Sequence, residues 1–161
     1  MKILSGVMGL GLILAGCGPT EEDVRRIVQE EMSGAMKRTF VHNVEVAGPY
    51  SPAVHVGSFL FVSGQIALDR ETGNLRNESI ETETRQVMEN LMHILRAEGY
   101  DSSHVVNATV YLKNMNDYPK MNLIYGGYFQ EGEYPARVAV EVSNLPRQAN
   151  VEIAVVACKG R

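Results

Sequence analysis

Three segments of this chain carry polar side chains where an apolar strand has no use for them. The first is Tyr134-Pro135-Ala136-Arg137-Val138-Ala139-Val140. Period two places Arg137, Ala139 and Glu141 on one face of a strand and Ala136, Val138, Val140 and Val142 on the other. A guanidinium set among small apolar residues is a ready carboxylate receptor, because its planar fork offers two parallel hydrogen bonds. The bland alternative is a strand-end arginine paired with a nearby Asp or Glu. The second segment is Asn150-Val151-Glu152-Ile153-Ala154, where Glu152 is the one acid in an apolar run. A carboxylate there can hold a water and act as a base, with a pKa set by burial and by any neighbouring arginine; it can equally be a structural partner for that arginine. The third combines Gly48-Pro49-Tyr50-Ser51-Pro52 with Ser63-Gly64-Gln65. These turns bring backbone N–H groups and a phenol to a strand end, and alone they are only turns.

Other chemistries find little support. The sequence has no CxxC, HExxH, P-loop or GxSxG motif, which leaves zinc, nucleotide and serine-hydrolase readings without local footing. His42, His55, His93 and His104 are scattered without ligand-like spacing, so no metal and no organic cofactor is expected. The formal net charge is −4. A mildly acidic chain is a poor binder of phosphate backbones, so nucleic acid is not an expected partner. Two cysteines, Cys17 and Cys158, cannot make a disulfide framework.

The elements that must position these residues follow from periodicity. Thr39–Val46 is β-prone, and Gly48-Pro49 breaks it. Ala53–Val56 and Phe59–Ser63 flank Gly57-Ser58, a hairpin signal. From Ile80 to Arg96, the residues Ile80, Thr84, Val87, Met88, Leu91, Ile94 and Leu95 share one helical face, and Gly99 ends the helix. Val105–Leu112 is a strand. A second helix is expected from Asn116-Asp117 through Met121, Ile124, Tyr125 and Phe129. Ala136–Val142 and Val151–Ala157 are the last strands. The order β, hairpin, α, β, α, β, β implies an α+β fold with both helices on one face of a mixed sheet. Nothing in the chain remains to cover the other face, which points to a second subunit.

The N-terminus has a different character. Lys2 precedes an apolar run from Ile3 to Leu14. That run is short for a membrane span and suits a secretory signal. Leu14-Ala15-Gly16-Cys17 resembles the bacterial lipobox, which implies cleavage before Cys17 and acylation of its sulfur. Gly18 resembles the outer-membrane sorting pattern of diderm bacteria. The division expected is a signal peptide at 1–16, a lipidated Cys17 with a helical spacer at 17–38, and one domain at 39–161. In the spacer, Thr20 can cap a helix whose first turn holds Glu21, Glu22 and Asp23. Val24, Ile27, Val28 and Met32 form its apolar stripe, the mark of a solvated spacer or of a self-associating stalk.

Seven ordered fragments then resemble the RidA/YjgF family of small imine/enamine deaminases. They are GPYSPAV (48–54), FVSGQIALD (61–69), TGNL (72–75), ETRQVMENLMHIL (83–95), NATVYLKNMNDYPKMN (107–122), YPARVAVEV (134–142) and LPRQANVEIAVVA (145–157). The resemblance implies a chorismate-mutase-like mixed sheet with two helices on one face, closed into a trimeric barrel with sites at subunit clefts. It implies hydrolysis of 2-imino acids to 2-keto acids and ammonia without a cofactor. It assigns the substrate-carboxylate arginine to Arg137 and the glutamate beside the hydrolytic water to Glu152. Tyr50, the Gly64 amide, Asn122, Tyr125 and the Ala139 carbonyl fall on substrate-binding positions. Pro52, Val138 and Ala139 depart from the usual family residues, and Val138 removes a hydroxyl expected close to the arginine. The alternative within the same fold is a non-catalytic binder of small carboxylates or a protein-protecting member.

Overall fold

A computed structural model describes residues 19–35, 38–41 and 48–160. The signal peptide, Cys17, His42 and most of the strand expected at 39–46 lie outside the described residues. Two units are distinguished, with a boundary at Gly34. In the first, helix α1 (Glu21–Ala35) begins as the sequence suggests: the Thr20 hydroxyl accepts from Asp23 N at 3.1 Å, and Asp23 accepts from Thr20 N at 3.1 Å. Val24, Ile27 and Val28 of its stripe are exposed, while the Met32 side chain lies outside the described residues.

The second unit is organised by helix α2 (Ile80–Ala97). Ser79 caps it by accepting from Thr82 N at 3.1 Å, with Glu81 and Glu83 in the first turn against the positive dipole end. Gly99, at a φ of +76°, reverses the chain just past its end. Its apolar face, including Val87, Met88, Leu91, Ile94 and Leu95, is fully or almost fully buried. That face lies against a six-stranded sheet in the order β1-β2-β3-β6-β4-β5. The strands are β1 (Arg38–Phe40), β2 (Ala53–Val56), β3 (Phe59–Gln65), β4 (Val105–Leu112), β5 (Ala136–Glu141) and β6 (Val151–Cys158). All neighbours are antiparallel except β4 and β5, which run parallel through the crossover helix α3 (Tyr118–Gly126). The α+β class, the mixed sheet and the two helices packed on one face are those expected.

Alternation fixes what each face carries. On β6, Val151, Ile153, Val155 and Ala157 are buried with Leu60, Val62, Val110 and Leu112 beneath the helices. The intervening residues face the other way, where Phe59, Phe61, Val106, Val138 and Val140 are exposed. Among the described residues of this unit no helix covers that second face. No helix of the described residues is long and apolar enough to cross a membrane.

Two polar clamps join α2 to the sheet. Asn90 donates to the carbonyls of Ile66 and Leu68 at 3.1 and 2.8 Å, fixing the chain as it leaves β3. Glu83 is fully buried. It accepts from Asn150 N at 2.7 Å, Asn150 Nδ2 at 2.9 Å and Val151 N at 3.4 Å. A buried carboxylate is tolerated when its oxygens are met by donors in this way, and these donors belong to the segment that starts β6.

Candidate functional site

Arg137 sits on β5, paired with Ala108 of β4, which in turn pairs with Val155 of β6. Ala108 and Val155 are buried under the helices, so the arginine is on the helix-covered face. Helix α3 meets it there. Tyr118, Asn122 and Tyr125 fall at i, i+4 and i+7, one stripe of a helix. Arg137 Nη2 donates to the Tyr118 hydroxyl at 2.9 Å and to Asn122 Oδ1 at 2.6 Å. The guanidinium lies 4.6 Å from the Tyr125 ring centroid and 5.6 Å from that of Tyr118, a cation–π platform.

The position of α3 is itself tied to β5. Glu141, on the same strand face as Arg137, accepts from Met115 N at 2.7 Å, and Asn114 accepts from Asn116 N at 3.0 Å. These bonds build a 3-10 turn over Met115–Asp117 ahead of the α-helix. The helix therefore starts at Tyr118, not at Asn116, and it stops at Gly126, before Phe129.

The arginine opens into a cleft of about 770 Å³ whose walls include Tyr118, Asn122, Leu123, Tyr134 and Ala139. Both hydrogen-bond partners of Arg137 are neutral, and none of the ion pairs among the described residues involves it. The alternative of a strand-end ion pair is thus not what the structure shows. A cation held by neutral acceptors keeps its charge for an anion. Tyr125 is buried, and its hydroxyl has no partner among the described residues. Burial pushes its pKa up to about 12, against the pull of the Arg137 charge. The phenol stays protonated and its ring serves as the platform.

Glu152 belongs to a second cluster. It pairs with Tyr111 of β4, which pairs with Val140 of β5, so its side chain is on the helix-free face. Burial pushes its carboxyl above the ordinary carboxylate range. The carboxylate lies against Gly64, and a Cβ on residue 64 would collide with Glu152 Oε1. Gly64 stands in a bulge where β3 slips register against β6 between Val62 and Gln65, and bulges of this kind re-aim side chains. Ser63 ties the bulge to the tyrosine turn: its hydroxyl donates to Ser51 O at 2.7 Å and its N–H to Pro52 O at 2.9 Å. Tyr50 is half-exposed at this end of β3.

The residues expected to act together therefore form two groups. Arg137, Asn122, Tyr125 and Ala139 meet on one side of the sheet; Glu152 and Gly64 meet on the other, and Tyr50 lies in the turn whose Ser51 and Pro52 carbonyls are bound by Ser63. A single chain does not bring Arg137 and Glu152 together. Val138, next to the arginine in sequence, pairs with Thr109 and so projects to the Glu152 side. Its missing hydroxyl bears on that group and not on the guanidinium. Sequence reasoning missed Tyr118, although its spacing from Asn122 and Tyr125 carried the signal. It also passed over Glu83, the lone acid on the buried face of α2.

The fold is an α+β sheet that carries, among the described residues, an arginine outside any ion pair in a helix-lined cleft and a partly buried glutamate on the opposite face. The family comparison is specific: residues 40–159 match the family model described as Endoribonuclease L-PSP, and the chain belongs to this family, that of RidA/YjgF. It is 52% identical over 112 residues to a RutC family protein of Pyrococcus horikoshii, covering 70% of this chain and 88% of that one. It is 45% identical over 113 residues to the mouse 2-iminobutanoate/2-iminopropanoate deaminase, covering 70% and 83%. Among solved structures, a putative endoribonuclease of Thermotoga maritima superposes with a TM-score of 0.73 at 42% identity, covering 76% of this chain and 98% of that one. Escherichia coli TdcF with bound serine superposes with a TM-score of 0.71 at 29% identity, covering 76% and 99%.

Proposed function

We propose that this protein is a hydrolytic deaminase that converts reactive 2-imino acids and their enamine tautomers to 2-keto acids and ammonia. The observation that carries the reading is Arg137, a fork-shaped cation held in a cleft by neutral partners and free of any ion pair among the described residues. The deaminase names of the mouse and human relatives agree with it, as does an amino acid bound to TdcF. In this reading Arg137 fixes the substrate carboxylate, and that positioning lowers the barrier. Water attacks the protonated imine carbon and forms a C–O bond while its proton passes to Glu152. Glu152 then returns this proton to the carbinolamine nitrogen, the C–N bond breaks to release ammonia, and the hydroxyl proton passes to the carboxylate as the C=O bond of the keto acid forms. A carboxyl whose pKa is raised by burial suits the base in such a step. Tyr50, Gly64, Asn122, Tyr125 and the Ala139 carbonyl line the substrate.

The site is completed by a second copy. The sheet separates Arg137 from Glu152 within one chain, and the apolar residues exposed on the Glu152 face suit a homotrimer. The same reading places the chain at the bacterial envelope, on the periplasmic face of the outer membrane in a diderm, held by acyl chains on Cys17. It is supported by Lys2, the Ile3–Leu14 run and Leu14-Ala15-Gly16-Cys17. More than one acyl chain is needed for stable attachment.

The assay is direct. The full chain is given a 2-imino acid generated in situ, and keto-acid release is followed. Acceleration is expected, and Arg137→Ala is expected to remove about a hundredfold or more of it while leaving the fold intact. No acceleration, with binding of a 2-keto acid retained, would give the non-catalytic carboxylate binder instead. Mass spectrometry of membrane-extracted protein tests the anchor: a diacylated Cys17 end is expected, and an unmodified Met1 end refutes it.

A further inference from the structure

The guanidinium has five N–H protons in a fixed plane. Only two pairs of them are parallel and can receive both oxygens of a carboxylate: Nη1 with Nη2, and Nε with Nη2. Each pair uses a proton of Nη2. In this structure Nη2 donates to two acceptors, the Tyr118 hydroxyl at 2.9 Å and Asn122 Oδ1 at 2.6 Å. Both Nη2 protons are thereby engaged, and neither fork is open as it stands. A carboxylate that is to be gripped at two points must displace one of these acceptors.

Tyr118 is the one that yields more easily. Its bond is the longer of the two. It sits at the first turn of α3, whose start is held by the Glu141 and Asn114 bonds to Met115 N and Asn116 N, not by a bond of its own hydroxyl to the backbone. Asn122 lies a turn further in, beside the buried Met121. A phenol oxygen is also a weaker acceptor than an amide carbonyl oxygen.

We propose that Tyr118 is a latch on the carboxylate receptor. Its hydroxyl occupies one fork of Arg137 and competes with the incoming acid, so it sets affinity and favours ligands able to take both points of the fork over those that take one. This inference rests on Arg137 as the carboxylate receptor and adds a specificity-determining residue to it. The latch costs affinity and helps hold the guanidinium over Tyr125, 4.6 Å from its ring centroid.

The test is titration of the full chain with pyruvate as a 2-keto acid probe, with methyl pyruvate as a control that lacks the carboxylate. Tyr118→Phe keeps the ring beside the guanidinium and removes only the competing oxygen. It is expected to bind pyruvate more tightly than the unaltered chain by roughly tenfold or more, the worth of one hydrogen bond to a charged donor. A loosened or misfolded cleft would weaken binding, so tightening is a result that mere structural damage does not give. Methyl pyruvate is expected to gain nothing. Equal or weaker pyruvate binding by Tyr118→Phe, where the unaltered chain binds and Arg137→Ala does not, overturns the latch and leaves the receptor standing. If the unaltered chain binds no pyruvate, or Arg137→Ala binds it undiminished, the receptor falls and the latch falls with it.

Discussion

At the scale of single residues, Glu152 and Gly64 form a pair in which each depends on the other. The carboxylate fills the space that any side chain at 64 would need. Gly64→Ala is therefore expected to push Glu152 out of place and cost on the order of a hundredfold in keto-acid release, with little change in secondary structure by circular dichroism. Glu152→Gln separates catalysis from stability. Burial raises the native pKa of this carboxyl above its unfolded value, so the folded state holds the proton more tightly than the unfolded one. Stability then falls as pH rises from the unfolded value through the native one, and stays lower above it. A glutamine has no proton to lose. Thermal melts at neutral pH should show Glu152→Gln melting higher than the unaltered chain, with the difference closing in acid below the carboxylate range, while the rate drops about a hundredfold or more for want of the base. A lower melting point at neutral pH would contradict the desolvation argument.

At the scale of elements, the buried Glu83 joins the first turn of α2 to the start of β6. Glu83→Ala would strand the N–H groups of Asn150 and Val151 and the Asn150 amide. The expected loss is about 2–4 kcal/mol, readable as a fall in the urea midpoint; Glu83→Gln, which keeps one acceptor, should lose less. Much at this scale was legible in the sequence. The helical period marked α2 from Ile80, and β4 is the strand expected at Val105–Leu112. The start of α3 was not legible, because the turn before it is set by Glu141, which sits on a strand 26 residues away. The candidate residues were identifiable by type: a guanidinium among alanines and valines and a lone acid in an apolar strand stand out by chemistry. Their distribution over two faces was hidden. Period two gives the face of each residue relative to its own strand, and relating β5 to β6 requires the register of both against β4.

At the scale of the whole molecule, the same division makes a prediction about mixtures. If Arg137 and Glu152 act together only across copies, Arg137→Ala and Glu152→Gln chains, each inactive alone, should restore one another when co-refolded. In a random equal mixture about one interface in four carries both intact residues, so about a quarter of full activity is expected for a closed ring. No recovery, with mixed assemblies shown by mass, would place both residues' work within one chain. The exposed Phe59, Phe61, Val138 and Val140 should become protected from solvent in the assembled form, which hydrogen exchange along β3 and β5 can follow.

On the proposed function, a sheet that stands between the acid-gripping cation and its base also dictates how activity returns after denaturation. A chain that regains its native tyrosine fluorescence alone would still be silent. Turnover should reappear after a delay that shortens as more protein is present, since the last event is an encounter and not a rearrangement within one polypeptide. Dilution, for such a protein, is a form of inhibition.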